Sequence, residues 1–305
     1  MRCAGNAIKV NLWCMLALVS KILSKLPFLS IIIIALGVRQ ALADDLSIVP
    51  YIPNILNVSY GVDSDDGQNS YLYTNLGVLK NHRISFGYGL QDETVSTSEE
   101  ELDSTTYLVG YSYYSERRFQ LGAEYEKWGE TDKIITETYS VSISFNIAML
   151  SVSVSPQFRN ITVYTNSQCS GDIDSEALEV ELGLFPSDSW SLSASYSSYD
   201  YSQNRTRLLS CVDPAELYLV VARLQTVAFD NQRSLGFEYY LDTETYGLKW
   251  AQDESAIDGE VTRGIQTYLT TDALNDWSIT VLLGAQENID NSTTRFIQGT
   301  LTYYW

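Results

Sequence analysis

The sequence has very little of the side chains on which most enzyme chemistry depends. It contains one histidine, His82, and no CxxC, HExxH or glycine-rich phosphate motif. Many hydrolases activate a serine, or a water beside carboxylates, with a nearby histidine base. His82 precedes Ser85 by three positions, so on a strand the two side chains point to opposite faces. We therefore expect no enzyme activity, no metal site and no cofactor.

Basic residues are also scarce, and many of them are concentrated at one end. The chain has 19 Lys and Arg against 38 Asp and Glu, and five of the basic residues lie within the first 43. The remainder therefore carries 14 basic and 38 acidic residues, a formal charge of −24. So acidic a chain repels phosphate backbones, which argues against a nucleic acid as a partner.

Long apolar runs are missing everywhere except near the N-terminus. The stretch LPFLSIIIIALGV is too short to span a bilayer comfortably, and the small residues Ala41 to Ala43 follow it. We predict that residues 1–43 are a signal peptide cleaved after Ala43, and that residues 44–305 form the mature domain. An earlier apolar patch leaves open whether translation starts at Met1 or at Met15.

An inner-membrane anchor is disfavoured because Lys21 and Lys25 interrupt the apolar stretch that a spanning helix needs. Export leads to an oxidising compartment, and only two of the four cysteines remain after cleavage. We predict that these two, Cys169 and Cys211, form one structural disulfide.

The mature chain is rich in segments where apolar residues alternate with small or polar ones. In WSLSASYS, from Trp190, four serines share one face, and ISFGYGLQ, from Ile84, has the same period. The pattern predicts an all-β, antiparallel up-and-down barrel whose strands cross a membrane. Fourteen strands are predicted, with 12 or 16 as alternatives, near residues 54–62, 71–79, 83–91, 104–114, 119–128, 133–145, 148–164, 175–185, 190–203, 233–241, 244–253, 260–270, 276–286 and 294–305.

A water-soluble β-sandwich also alternates, but two features favour the membrane. The polar face is built from Ser, Gly, Thr, Gln and Glu, which suits a wet lumen. All 22 tyrosines lie in the mature chain. Several aromatic residues fall on the apolar face near strand ends, where interfacial girdles are expected; these are Tyr60, Tyr88, Tyr113, Trp190, Trp250 and Trp277.

The last strand carries a more specific signal. In RFIQGTLTYYW, alternate residues from Ile297 to Trp305 are apolar, glycine or aromatic, and the chain ends on tryptophan. This segment resembles the C-terminal signal of bacterial outer-membrane β-barrels, although Gly299 lies one residue earlier than the usual glycine. The resemblance implies insertion into a Gram-negative outer membrane by the barrel-assembly machinery.

The connections are predicted to alternate between short inner turns and longer outer loops. The longest, from Arg205 to Arg233, contains DPAELYLVVARLQTVAFD, in which Asp213, Pro214 and Glu216 are helix-start signals. We predict a short helix here, within the fifth outer loop. Further strands remain an alternative because the segment is also rich in β-branched residues.

On the predicted lumen face, carboxylates outnumber cations. Lys249 is the only cation that the alternation assigns there. A ring of carboxylates favours cations or neutral solutes over anions, whereas glutamates bonded to tyrosines such as Tyr240 and Tyr268 would suit a closed barrel, and the sequence leaves both possibilities open. The predicted lumen carboxylates are Glu124, Glu126, Glu179, Glu181 and Glu238.

Two arginines are predicted to face lipid. Arg263 and Arg295 alternate with apolar neighbours and follow outer loops, so they should lie at the outer rim. A guanidinium there can bind lipopolysaccharide phosphates or simply extend to water, and the sequence leaves both open.

These features together predict a passive, porin-like channel, similar in size and strand count to monomeric fourteen-stranded porins, with small solutes as its cargo. The alternative is a non-conducting surface barrel whose acidic loops bind cations, a partner protein or lipopolysaccharide. Transport of long-chain lipids is disfavoured because the lumen is too polar.

Overall fold

The computed structural model describes residues 53–95, 100–115, 119–130, 133–164, 171–202, 221, 224, 227–274, 276–287 and 292–305. The chain divides into two compact units, Met1–Ile48 and Val49–Trp305. The predicted signal peptide, its cleavage site, Cys169 and Cys211 lie outside the described residues.

The second unit is a run of fourteen strands, each of which alternates between side chains directed into the barrel and side chains directed away from it. The strands are β1 (Ile55–Asp63), β2 (Gln68–Leu79), β3 (His82–Val95), β4 (Glu100–Tyr114), β5 (Phe119–Glu130), β6 (Ile134–Ile147), β7 (Leu150–Val163), β8 (Gly171–Ser187), β9 (Trp190–Tyr201), β10 (Phe229–Tyr240), β11 (Glu244–Ser255), β12 (Val261–Leu274), β13 (Trp277–Glu287) and β14 (Thr293–Tyr304).

The strands form one closed antiparallel barrel. Each pairs with its neighbours in sequence, and the ring closes where β1 pairs with β14, from Ile55 opposite Tyr304 to Asp63 opposite Phe296. Closure gives every strand two hydrogen-bonded partners and leaves no open edge. The predicted fold class and the count of fourteen strands are confirmed.

Because the strand count is even, the start of β1 and the end of β14 lie at the same rim, which we call the terminal end. Connections at this rim are short, such as residues 80–81, 148–149 and 188–189. The opposite rim, which we call the loop end, carries the longest connection, residues 202–228 between β9 and β10. This β9–β10 loop includes the stretch predicted to be helical.

Only part of the β9–β10 loop is described. Val221 and Leu224 have helical backbone conformation, and the remainder of the predicted helix lies outside the described residues. Within the described part of the chain, no helix is long and apolar enough to cross a membrane.

The outer face of the barrel is covered by exposed apolar side chains. Leu235 is 56% exposed and Ile265 is 52% exposed, and similar residues occur around the barrel. Aromatic residues flank this belt. At the terminal end, the rings of Trp277 and Tyr303 lie 4.5 Å apart. Farther towards the loop end, near the middle of β5 and β6, the rings of Tyr125 and Tyr139 lie 4.9 Å apart. An apolar belt between two aromatic girdles is the outer surface expected of a membrane-spanning barrel.

Among the described residues, a buried apolar cluster lies inside the mouth at the loop end. Four aliphatic side chains from β6, β7 and β8 point inward there, and they pack against residues of the β9–β10 loop. The loop residues Leu224, Val227 and Ala228 are 0%, 7% and 1% exposed. The wall residues are Ile134, Ile161, Val163 and Ile173. Part of the loop therefore folds into the barrel instead of standing above it.

Candidate functional site

The inner face of the barrel is polar and accessible to solvent. The structure places all six predicted lumen residues on this face. Glu124, Glu181 and Lys249 are exposed to solvent although they point into the barrel, so the lumen has room for water beside them. The other three, Glu126, Glu179 and Glu238, are partly buried.

Several large inner-face rings lie flat along the wall. A Cβ added at Gly247 would collide with the ring of Tyr268, and one added at Gly284 would collide with the ring of Phe296. Tyr71 covers Gly87 and Gly89 in the same way. Glycine allows this close approach because it has no side chain. A ring stacked on the wall takes up less of the lumen than a ring directed across it.

Glu238 has a structural role on this wall. Its carboxylate accepts hydrogen bonds from Tyr240 and Tyr268, and a third, at 3.2 Å, from the Ser191 hydroxyl. The sequence left open whether the glutamates bind tyrosines in this way. For Glu238 the structure shows that arrangement, which fixes the carboxylate against β9, β10 and β12.

A polar cavity of 210 Å³ also lies on the inner face. It spans six neighbouring strands, β5 to β10, and brings together three of the predicted carboxylates with a cation. Its lining residues are Glu124, Glu126, Thr138, Ser140, Gln157, Arg159, Glu179, Ser197, Tyr199 and Gln232.

Arg159 corrects the sequence prediction, which assigned Lys249 as the only cation on the lumen face. Arg159 shares the inward side of β7 with Ser153, Ser155 and Gln157, so the alternation of this strand already carried the signal. Arg83 is a further inward cation that the prediction missed. It is 6% exposed near the terminal end, where it donates hydrogen bonds to the Pro53 carbonyl oxygen and to Asn75.

Three hydrogen bonds hold the Arg159 guanidinium. Nε donates to Thr138 Oγ1 at 3.3 Å, and Nη2 donates to the Tyr199 hydroxyl at 3.4 Å. Nη1 donates to the carbonyl oxygen of Val227, at 3.1 Å, which ties β7 to the β9–β10 loop. The guanidinium carbon also lies 4.8 Å from the centre of the Tyr199 ring, a cation–π contact.

The contacts continue around the wall from Tyr199. Its hydroxyl donates to Gln232 Oε1 at 2.8 Å, and Gln232 Nε2 donates to Asp253 Oδ1 at 3.2 Å. Gln157 Nε2 donates to Glu179 Oε2 at 2.8 Å. The cavity wall is thus preorganised by side-chain hydrogen bonds between neighbouring strands.

The two arginines predicted to face lipid lie on the outer face of the barrel, at the loop end. Arg263 and Arg295 are each the third residue of their strand at the loop end, and both are exposed. Arg263 Nη1 lies 3.9 Å from Glu287 Oε2. Arg233 is a third outward arginine, 5.8 Å from the Tyr196 ring centre, and the sequence prediction missed it. Within the described ranges, no group of three or more His, Cys, Asp or Glu side chains could hold a metal ion.

No protein-family model matches the chain, and no curated protein matches it in sequence. Among solved structures, it is similar to the outer-membrane protein Omp33 of Acinetobacter baumannii, with 10% identity and a TM-score of 0.48, over 83% of this chain and 98% of that one. It is also similar to an anion-selective porin from Comamonas acidovorans, with 9% identity and a TM-score of 0.46, over 83% and 98% of the two chains. A third is the KdgM porin, with 10% identity and a TM-score of 0.45, over 82% and 99%.

Proposed function

We propose that the protein is a porin-like passive channel in the outer membrane of a Gram-negative bacterium. The observation that carries this proposal is the distribution of side chains between the two barrel faces. Apolar side chains such as Leu235 are exposed on the outside, while charged ones such as Glu181 are exposed on the inside. A water-soluble barrel needs the opposite arrangement, because burial of apolar side chains drives its folding.

The lumen is expected to favour cations or neutral solutes over anions. Three carboxylates and a single guanidinium line the cavity. Glu181, Glu238 and Asp253 add negative charge to the inner face, whereas Lys249 and Arg83 add positive charge. Fixed carboxylates lower the energy of a permeating cation and raise that of an anion.

The test is conductance of the purified protein in a planar bilayer under a KCl gradient. We expect a reversal potential of the sign that K⁺ permeation gives. Replacing Glu124, Glu179 and Glu238 by glutamine should move it towards zero. Glu287→Gln, on the outer face, is the matched control and should leave it unchanged. An anion-selective potential would contradict the charge preference.

The second candidate is a non-conducting surface barrel, and the folded-in part of the β9–β10 loop favours it. A well-folded protein that gives no conductance would support this alternative. In both cases Arg263 and Arg295 are proposed to contact the phosphates of lipopolysaccharide, since guanidinium groups bind phosphate through paired N–H donors. Neither candidate assigns an enzyme activity to the chain.

A further inference from the structure

Arg159 has unused capacity to bind an anion. Its guanidinium carries five N–H donors, and the three hydrogen bonds described above leave one N–H on each terminal nitrogen. Among the residues that the structure describes, no carboxylate oxygen lies within ion-pair distance of it. Two adjacent free N–H groups match the two oxygens of a carboxylate.

Acceptors for a cation lie beside it in the same cavity. Glu126 and Arg159 both flank Thr138, which is opposite Glu126 on β5 and opposite Arg159 on β7. Two strand intervals separate their backbones by about 10 Å. The carboxylates of Glu124 and Glu126 accept no hydrogen bond within the described part of the chain, so both remain available to an ammonium group.

We propose that this cavity binds small zwitterionic solutes, with the solute carboxylate on Arg159 and its ammonium group on Glu126 and Glu124. The inference rests on the proposed channel function and specifies its substrate class. A simple anion would satisfy Arg159 but would lie beside three carboxylates. A simple cation would satisfy the carboxylates but would leave the guanidinium unpaired. A zwitterion satisfies both ends of the site.

The dimensions favour an amino acid or a dipeptide. The cavity volume of 210 Å³ is below the roughly 300 to 1,000 Å³ typical of pockets for drug-sized ligands. An extended dipeptide spans about 7 Å, which is of the same order as the distance of about 10 Å between the backbones of Glu126 and Arg159.

The experiment compares uptake of four solutes of similar size into proteoliposomes that contain the full-length mature protein. Glycylglycine is the zwitterion, glycylglycinamide the cation, N-acetylglycine the anion and N-acetylglycinamide the neutral solute. We expect uptake of glycylglycine to saturate at the lowest concentration. Equal half-saturation for all four, or no saturation for any of them, would overturn the proposal.

Two variants test which group binds which end. Arg159→Gln should weaken glycylglycine binding about tenfold, equivalent to about 1.4 kcal/mol, and should shift the preference towards glycylglycinamide. Glu126→Gln should shift it towards N-acetylglycine. A purely structural role for either residue would change uptake of all four solutes together and would refute the assignment.

The controls are Arg233→Gln and Glu287→Gln, which make the same chemical changes on the outer face and should leave the solute order unchanged. Failure of this inference is distinguishable from failure of the proposed function. A protein that conducts K⁺ but does not discriminate the zwitterion contradicts only the inference. A folded barrel that conducts nothing contradicts the channel itself.

Discussion

The loop residue Leu224 should control how wide the mouth of the barrel is. Its side chain is fully buried against inward-facing residues of β6 to β8, in the middle of a cluster that includes Val227 and Ala228. The perturbation is Leu224→Ala, which removes most of this contact without adding charge. We expect the loop segment to leave the wall, while the barrel itself stays closed because its strand pairing does not involve Leu224.

The magnitude follows from burial. Truncating a fully buried leucine to alanine costs about 2 to 5 kcal/mol. A loss of about 3 kcal/mol lowers the ratio of docked to undocked loop by about 150-fold. The bond from Arg159 to the Val227 carbonyl oxygen contributes about 1.5 to 3 kcal/mol as a charged hydrogen bond. The variant can still form this bond, but the bond contributes less than the upper part of the cost of the truncation, about 2 to 5 kcal/mol. The bond alone is therefore not enough to hold the loop on the wall.

The assays are single-channel conductance and limited proteolysis in detergent. Leu224→Ala should raise the conductance, or make it fluctuate between levels, and should speed cleavage within the β9–β10 loop. Leu235→Ala is the matched control, because Leu235 is 56% exposed on the outer face. It should change neither assay. If Leu224→Ala leaves both the conductance and the cleavage rate at the parent values, the loop does not narrow the mouth.

Three further outcomes are expected. The folded protein should migrate faster than the boiled protein on gels, because a closed barrel resists detergent; identical migration would argue against closure. Cys169 and Cys211 should be disulfide-bonded in protein extracted without reductant, and mass spectrometry showing two free thiols would reject this. Replacing both Arg263 and Arg295 by glutamine should reduce the thermal stabilisation given by added lipopolysaccharide, and equal stabilisation of parent and double variant would exclude the contact.

The sequence by itself determined the strands and their two faces. Alternation is a local property, so segments such as WSLSASYS show which side chains share a face before any pairing is known. All fourteen strands were predicted, with bounds that differ by a few residues from those observed. Arg159, which the prediction missed, alternates in step with Ser155 and Gln157, so the strand period alone places it on the inner face.

The tertiary structure decided which inward residues meet. Arg159 bonds to Val227, 68 positions away in sequence, and to Tyr199, 40 positions away. Alternation assigns Arg159 and Tyr199 to the inner face, but it does not show which residues of other strands or loops they contact. The apolar cluster at the mouth could not be predicted from the alternation either. Inward isoleucines such as Ile161 break the polar pattern of the lumen, and their partner Leu224 belongs to a loop with no strand period.

The physical reason for this division is the range of the interactions. The alternation along a strand reflects whether each side chain faces lipid or the lumen, so the polarity of each residue in the sequence indicates its face. Closure of β1 on β14 and folding of the loop into the mouth depend on contacts between distant segments, whose geometry exists only once the barrel has formed. The two faces of the barrel wall can therefore be predicted from the sequence, whereas the cavity and its charge arrangement exist only in the assembled ring of strands.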